Sequence, residues 1–269
     1  MSTYVIIGAS RGLGYQFLKT LSSNSSNTII GVARTPSSVQ EKIKADKLPS
    51  NVQVVQGDLT DPTSLKAAAA AVSKLTNGVV DYLIVNGAYL NVETGPLDPS
   101  AYLGKEEYFL SELNASIHAN AAGVLFSINA FIELVKKSSV KKVIVISTGM
   151  ADPEIVGVSE VAGSIPYSMS KAAVNILVAK YAVEYKQDGV IFLALSPGMV
   201  HTSTDPDNIP PEYAAMYKEL TAKFRKYEPS FNGPIRPEES VDAQLNVIHN
   251  ITLKDSGEFL SHHGNKRWL

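Results

Sequence analysis

The chain has 269 residues, 45% hydrophobic and 19% charged, which is enough apolar material for a sizeable core in one large α/β domain or two small ones. A net charge of −2 and a pI near 6.2 exclude the electrostatic footprint of a nucleic-acid binder or of a protein that rides on anionic membrane. Cysteine is absent, which removes disulfide frameworks, thiolate metal sites and thiol nucleophiles and suits a reducing compartment.

Short β-branched runs alternate with longer amphipathic stretches, the pattern of repeated βαβ units around a parallel sheet. Strands are expected at 4–7, 28–33, 52–56, 82–86, 142–147, 190–195 and 258–260. Most are runs of Val, Ile and Leu without polar alternation, as in strands covered by helices on both faces. Helices are expected at 13–22, 63–75, 106–137 and 167–186, the third interrupted or bent near Asn120, with two more at 211–226 and 238–249 before the last strand. The alanine run 67–71 is a strong helix former, and the Ser/Asn-rich stretch 22–27 falls where a helix-to-strand turn belongs. No linker, repeat or charge block divides the chain, so one domain is expected. Val5-Ile6-Ile7 is too short for a signal-peptide core or a bilayer span, and residues 265–269 match no retrieval or lipidation signal, so the cytosol is the expected location.

The first strand runs into Gly8-Ala9-Ser10-Arg11-Gly12-Leu13-Gly14. Glycines at these points let the backbone turn tightly and approach a pyrophosphate, while the helix that follows offers unpaired N–H groups and its positive dipole end. As a bare pattern the loop could equally be a helix-entry turn; the strand before it and the helix after it favour a nucleotide site. An NAD-binding unit would carry an acid at the end of the second strand, but here stand Ala33, Arg34 and Thr35. Arg34, joined by Arg11 in the loop, would form charge-assisted bonds to a 2′-phosphate, so NADP(H) is expected as the cofactor. Asp58 and Leu59, just past the third strand, are placed to meet an adenine, the carboxylate at its exocyclic amine and the leucine against its ring.

Tyr167-Ser168-Met169-Ser170-Lys171 opens a helix in which Tyr167 and Lys171, at i and i+4, share one face. A free tyrosine titrates near ~10, too high for efficient proton exchange at neutral pH, and a neighbouring ammonium favours its phenolate. As an isolated pattern such a pair is more often a surface feature. Its position after the fifth strand of a dinucleotide fold gives it meaning.

Taken together, these motifs resemble the short-chain dehydrogenase/reductase family, and its carbonyl-reductase-like fungal members in particular. The resemblance runs from Gly8 to the final strand through the glycine loop, Asp58, Asn86-Gly87-Ala88, Asn120 ahead of Gly123, Ser147-Thr148, Tyr167 with Lys171, and Pro197-Gly198 with Val200 and Thr202. It implies a doubly wound, seven-stranded parallel sheet of the Rossmann type that moves a hydride between NADP(H) and a carbonyl or alcohol. In that scheme Tyr167 is the general acid, Lys171 holds the nicotinamide ribose and lowers the tyrosine pKa, Asn120 anchors a relay water, and Thr148 hydrogen-bonds the substrate oxygen. Gly8, Ser10, Arg11, Gly12, Leu13, Gly14, Arg34, Asp58, Leu59, Asn86, Gly87, Ala88, Tyr167, Lys171, Pro197, Gly198, Val200 and Thr202 would line the cofactor. The long helices at 106–137 and 167–186 would pair copies into a homodimer or homotetramer.

Three departures from the family pattern stand out. Tyr89 follows Ala88 where the family carries glycine, Thr148 stands at the usual serine position, and the stretch 150–166 is long and acidic, read here as a substrate-side loop. Of Ser147 and Thr148, adjacent at a strand end, only one can face Tyr167. His262 and His263 should point to opposite faces of the last strand, while His118 and His201 near the cleft read as structural. Tyr213, Met216, Tyr217, Phe224 and Tyr227 recur at roughly helical spacing, first a packing surface and second a lid. An apolar ketone, aldehyde or quinone suits such a lid. The alternatives are a non-catalytic NADPH-binding sensor or scaffold of the same fold, and an isomerase or epimerase with tightly held cofactor.

Overall fold

In the computed structural model the described residues are 1–201 and 211–269. Among them the apolar runs form seven strands: β1 (Thr3–Ile7), β2 (Thr28–Ala33), β3 (Val52–Gln56), β4 (Tyr82–Val85), β5 (Lys142–Ile146), β6 (Ile191–Ser196) and β7 (Phe259–Ser261). All pairs are parallel, in the order β3-β2-β1-β4-β5-β6-β7. Parallel neighbours require crossover connections, and these supply the helices that cover both faces. The strand order reverses between β1 and β4, which opens a crevice at their C-terminal ends.

The helices are α1 (Gly12–Ser22), α2 (Pro36–Ala45), α3 (Pro62–Leu75), α4 (Glu106–Ser116), α5 (Gly123–Lys136), α6 (Pro153–Ser159), α7 (Ile165–Glu184), α8 (Pro211–Phe224) and α9 (Pro237–Asn250). Successive strand residues feed opposite layers. Val5 and Ile7 pack with Leu65 of α3, Phe131 of α5 and Val174 of α7. Tyr4 and Ile6 pack with Phe17 of α1, Val39 of α2 and Val241 of α9. Each such aliphatic or aromatic side chain, fully buried, stabilises the fold by ~1.5–3 kcal/mol. The result is the expected doubly wound sheet in a single domain.

α4 runs into α5 through one π-helical stretch, Ile117–Ala122, with Asn120 inside it. The expected irregularity near Asn120 is therefore a register change within one continuous helix. By length and hydropathy that helix could cross a membrane, but half of its apolar window is buried, and it packs on α3 and α7. Its apolarity is that of a core helix.

Two helices escape the periodicity. α2 begins with proline at its first turn and buries only Val39, so it carries no apolar stripe. α6 spans seven residues, capped by Asp152 accepting from the Glu154 N–H, and turns part of the expected loop 150–166 into helix.

Candidate active site

The glycine loop lies where the crevice opens. Gly8 has φ +84°, and a Cβ there would stand 2.4 Å from the Gly87 Cα. A Cβ on Gly14 would stand 2.1 Å from the Gly8 carbonyl oxygen and 2.7 Å from Asn86 Nδ2, which itself donates to that carbonyl at 3.1 Å. The loops after β1 and β4 are thus locked face to face, and only glycine fits between them. α1 starts at Gly12 with Arg11 as its N-cap and no side chain capping it, so its leading N–H groups face the crevice without side-chain partners. Ser10 is half-buried, Leu13 is buried, and Arg11, Arg34 and Ala88 are exposed. Lys42, on the helix the sequence did not reveal, donates to the Ser10 carbonyl at 3.0 Å and adds a third cation to Arg11 and Arg34 at this loop.

Asp58 accepts from the Thr60 N–H at 2.9 Å and from the Thr60 hydroxyl at 2.8 Å, both through Oδ1. The Thr60 backbone bond is the largest cause of a carboxyl held below its usual range; Thr60 Oγ1, Arg34 and His118 add to it against the opposing effect of burial. Leu59 packs inward: a Cβ on Gly123 would sit 2.6 Å from the Leu59 Cγ, and one on Gly87 3.3 Å from its Cδ2. Its place is between those glycines.

Lys171 is 1% exposed. Its ammonium donates to the Ile146 carbonyl, the last of β5, at 2.7 Å and lies 5.8 Å from the centre of the Tyr167 ring. Among the described residues the Tyr167 hydroxyl has no hydrogen-bond partner. Burial pushes the phenol up to about 12 and brings Lys171 down to about 8. Burial opposes the charged form of both groups, so any pull of the ammonium on the phenol acts against desolvation.

Asn120 is wholly buried. Its Oδ1 accepts from the Tyr89 N–H at 2.7 Å, and its Nδ2 donates to the Tyr89 carbonyl at 2.9 Å and to Ser170 Oγ at 2.8 Å. Ser170 in turn donates to the Tyr167 carbonyl at 2.6 Å. Both amide hydrogens are committed to protein, so the side chain braces α7 against the loop after β4, and a water held here would donate to an Asn120 oxygen. Tyr89, which replaces glycine in the family pattern, fits because its hydroxyl donates to Glu112 of α4 at 3.1 Å.

The Ser147–Thr148 pair resolves by hydrogen bonding. Ser147 still follows the sheet, its N–H donating to the Leu195 carbonyl at 2.8 Å, and its buried hydroxyl donates to Asn175 Oδ1 at 2.7 Å. Thr148 caps the next turn, accepting from the Met150 N–H at 3.3 Å, and its own hydroxyl proton remains to be given. Asn175 was missed in the sequence, although it continues the Tyr167–Lys171 face by one more i+4 step.

Past β6, Ser240 of α9 donates to the Pro197 carbonyl at 2.7 Å. Gly198, at φ +80°, leaves room for the His262 ring, 2.8 Å from where a Cβ would be, and Val200 bridges to Ile235. Thr202 lies outside the described residues, as do the side chains of Tyr213 and Met216. β7 ends at Ser261, so His262 and His263 fall in a turn, their rings tilted by 39° with centres 3.8 Å apart, instead of pointing to opposite faces. His201 is half-buried against Tyr217 and His118 is exposed. Among the described residues no group of three or more His, Asp or Glu could hold a metal ion.

Residues 2–211 match the family model described as short chain dehydrogenase. The chain is a short-chain dehydrogenase/reductase. Its relatives extend over the full length: a short-chain dehydrogenase/reductase of Aspergillus aculeatus, AacuF, is 42% identical, and the short chain dehydrogenase virK of Hypocrea virens 38% identical, each covering 100% of both chains. The NADPH-bound carbonyl reductase from chicken fatty liver is 25% identical with a TM-score of 0.74, covering 98% of each chain. This short-chain dehydrogenase/reductase is accordingly an oxidoreductase of a family that uses NAD(P).

Proposed function

We propose that this chain is an NADPH-dependent reductase of small carbonyl compounds, with Tyr167 as the proton donor. The observation that carries the reading is a Tyr167 hydroxyl with no protein partner among the described residues, set on the same face of α7 as a buried Lys171 whose ammonium lies 5.8 Å from the centre of its ring. When bound, the cofactor supplies the hydride to the carbonyl carbon. Tyr167 gives its proton to the carbonyl oxygen, Thr148 donates a hydrogen bond to that oxygen, and Lys171 stabilises the phenolate left behind and offers its ammonium to the ribose. Asn120 and Ser170 keep Tyr167 in place, and Ser147 with Asn175 fixes the strand end. For oxidation of an alcohol the same groups run in reverse.

The glycine cradle between β1 and β4 accepts a pyrophosphate, with no Cβ to fill it. Arg11, Arg34 and Lys42 around it, and no acid at the end of β2, favour the 2′-phosphate of NADPH. Asp58 reaches the adenine amine through the oxygen that Thr60 leaves open. An apolar ketone, aldehyde or quinone suits the Met150, Met199 and Tyr227 side. Self-association is supported by an uncovered apolar stripe on α7, Met169, Ile176 and Val183, at seven-residue spacing, with Leu110 and Ile117 exposed on the neighbouring helix.

Turnover and NADPH binding of Tyr167→Phe test the reading. We expect reduction of para-nitrobenzaldehyde to fall by at least about a hundredfold, with the NADPH dissociation constant unchanged. Near-normal turnover of the variant would overturn the assignment, and NADPH binding by the wild type without turnover of any carbonyl would mark a sensor.

A further inference from the structure

We propose that Trp268 is a positioning residue that fastens the substrate-side wall of the active site to the turn carrying Thr148. The proposal rests on the active-site reading above and extends it to a residue far from the family motifs in sequence.

Trp268 is 2% exposed and stacks on Phe259 of β7, ring centres 4.2 Å apart. It belongs to neither layer of the main core. A third apolar cluster surrounds it, made of Ile155 in α6, Val161 beyond it, Phe224 at the end of α8 and Phe231 in the turn that follows, with Met150 and Met199 packed alongside. Met150 lies two residues past Thr148 and Met199 directly follows Gly198, so the cluster around the indole reaches both the Thr148 turn and the loop after β6.

The link to the reacting groups is Gly149. A Cβ there would stand 2.7 Å from the Trp268 Cβ and 3.0 Å from its Cγ, so the base of the indole fills the space a side chain would take. From the other side, the Gly149 N–H donates to Ser196 Oγ at 3.0 Å. The Thr148 turn is thus held between β6 and Trp268. Polar contacts lace the rim: Tyr227 donates to the Lys266 carbonyl at 3.1 Å, and Lys226 beside α8 pairs with Glu160 beyond α6. Without the indole the Thr148 turn keeps its hydrogen bond to Ser196 and its chain link to α6, but loses the packing that stands against Gly149. Misplacement of a substrate-binding group by about 1 Å is enough to cost on the order of a hundredfold in rate.

Three variants test this: Trp268→Ala, Trp268→Phe and Gly149→Ala, the last pushing the indole out with an added methyl. In full-length protein, amide hydrogen exchange of Trp268→Ala should quicken at residues 149–161 and 220–231 and stay unchanged in the glycine loop and β1 to β5. The NADPH dissociation constant, read from nicotinamide fluorescence, should stay within about twofold of wild type. Against para-nitrobenzaldehyde and phenanthrenequinone, kcat/KM should fall about ten- to a hundredfold, with kcat falling as well as KM rising, Phe restoring most of it and Gly149→Ala matching Trp268→Ala. Exchange that rises across the whole sheet, or nowhere, overturns the proposal, as does equal loss of NADPH and carbonyl binding. Tyr167→Phe measured in parallel separates the two readings: if it is inactive while Trp268→Ala behaves as wild type, this proposal alone has failed. Should Trp268→Ala not fold, Trp268→Phe and Gly149→Ala carry the same comparisons.

Discussion

Replacing Lys171 by methionine should make the protein more stable at neutral pH while abolishing its activity. The side chain is almost wholly buried, its ammonium has one carbonyl partner, Ile146, at 2.7 Å, and burial brings its pKa from 10.5 to about 8. That displacement corresponds to ~3 kcal/mol of preference for the neutral form inside the fold. Below pH 8 the lysine is charged in both the folded and unfolded chain, so the folded state carries the full cost. Between pH 8 and 10.5 the unfolded chain binds the extra proton, and stability recovers as pH rises. Methionine has similar reach and no charge, but gives up one charge-assisted hydrogen bond worth ~1.5–3 kcal/mol, leaving a net gain of ~0–1.5 kcal/mol at pH 7. In a chain of this size one kcal/mol moves Tm by ~2–4 °C, so a rise of up to a few degrees is expected. Thermal unfolding of both proteins at pH 7 and pH 10, with turnover measured alongside, reads the effect. A lower Tm for Lys171→Met at pH 7, or the same gap at both pH values, would refute the reasoning.

Arg34→Ala should weaken NADPH by roughly ten- to a hundredfold, one charge-assisted bond of ~1.5–3 kcal/mol, and leave NADH alone; Lys42→Ala should do the same more weakly, since its ammonium already serves the Ser10 carbonyl. Titration with both cofactors decides, and equal losses for the two would show that neither residue reads the phosphate. Thr148→Val should reduce turnover strongly at an unchanged NADPH constant, whereas Thr148→Ser remains active; Ser147→Ala should instead lower Tm by breaking its bond to Asn175. The opposite pattern in a turnover assay would shift the substrate contact to Ser147. Ile176→Glu, on the exposed face of α7, should shift the protein toward monomer in light scattering, and a wild type that is already monomeric at micromolar concentration would remove the assembly.

Most of the sheet was legible because parallel strands buried on both faces are written as unbroken Val, Ile and Leu runs, and β1 to β6 fall within about two residues of where those runs lie. The glycine loop was legible for a similar reason: Gly8 and Gly14 have no alternative where backbones close to 2–3 Å of a would-be Cβ. What stayed hidden depends on tertiary context. α2 has no apolar stripe, so Lys42 could not be placed beside Ser10. The burial of Tyr167 and Lys171, which opposes the charged form of each, is not shown by i,i+4 spacing. The bracing role of Asn120 was hidden because its partners, Tyr89 and Ser170, are 31 and 50 residues away in the chain. His262 and His263 defied strand alternation because the strand stops one residue earlier.

The π turn at Ile117–Ala122 has a consequence for how this helix can change length. It holds one residue more than a regular α-helix would need, so deleting any residue there is the simplest repair of the backbone hydrogen bonding. The wider turn absorbs the extra residue, so Ile128 and Phe131 of α5 would keep their places in the core after such a repair. What the deletion would remove is the local geometry by which Asn120 meets both Tyr89 and Ser170. The irregularity thus lets the segment that serves the active site depart from a regular helix without turning the part that serves the sheet.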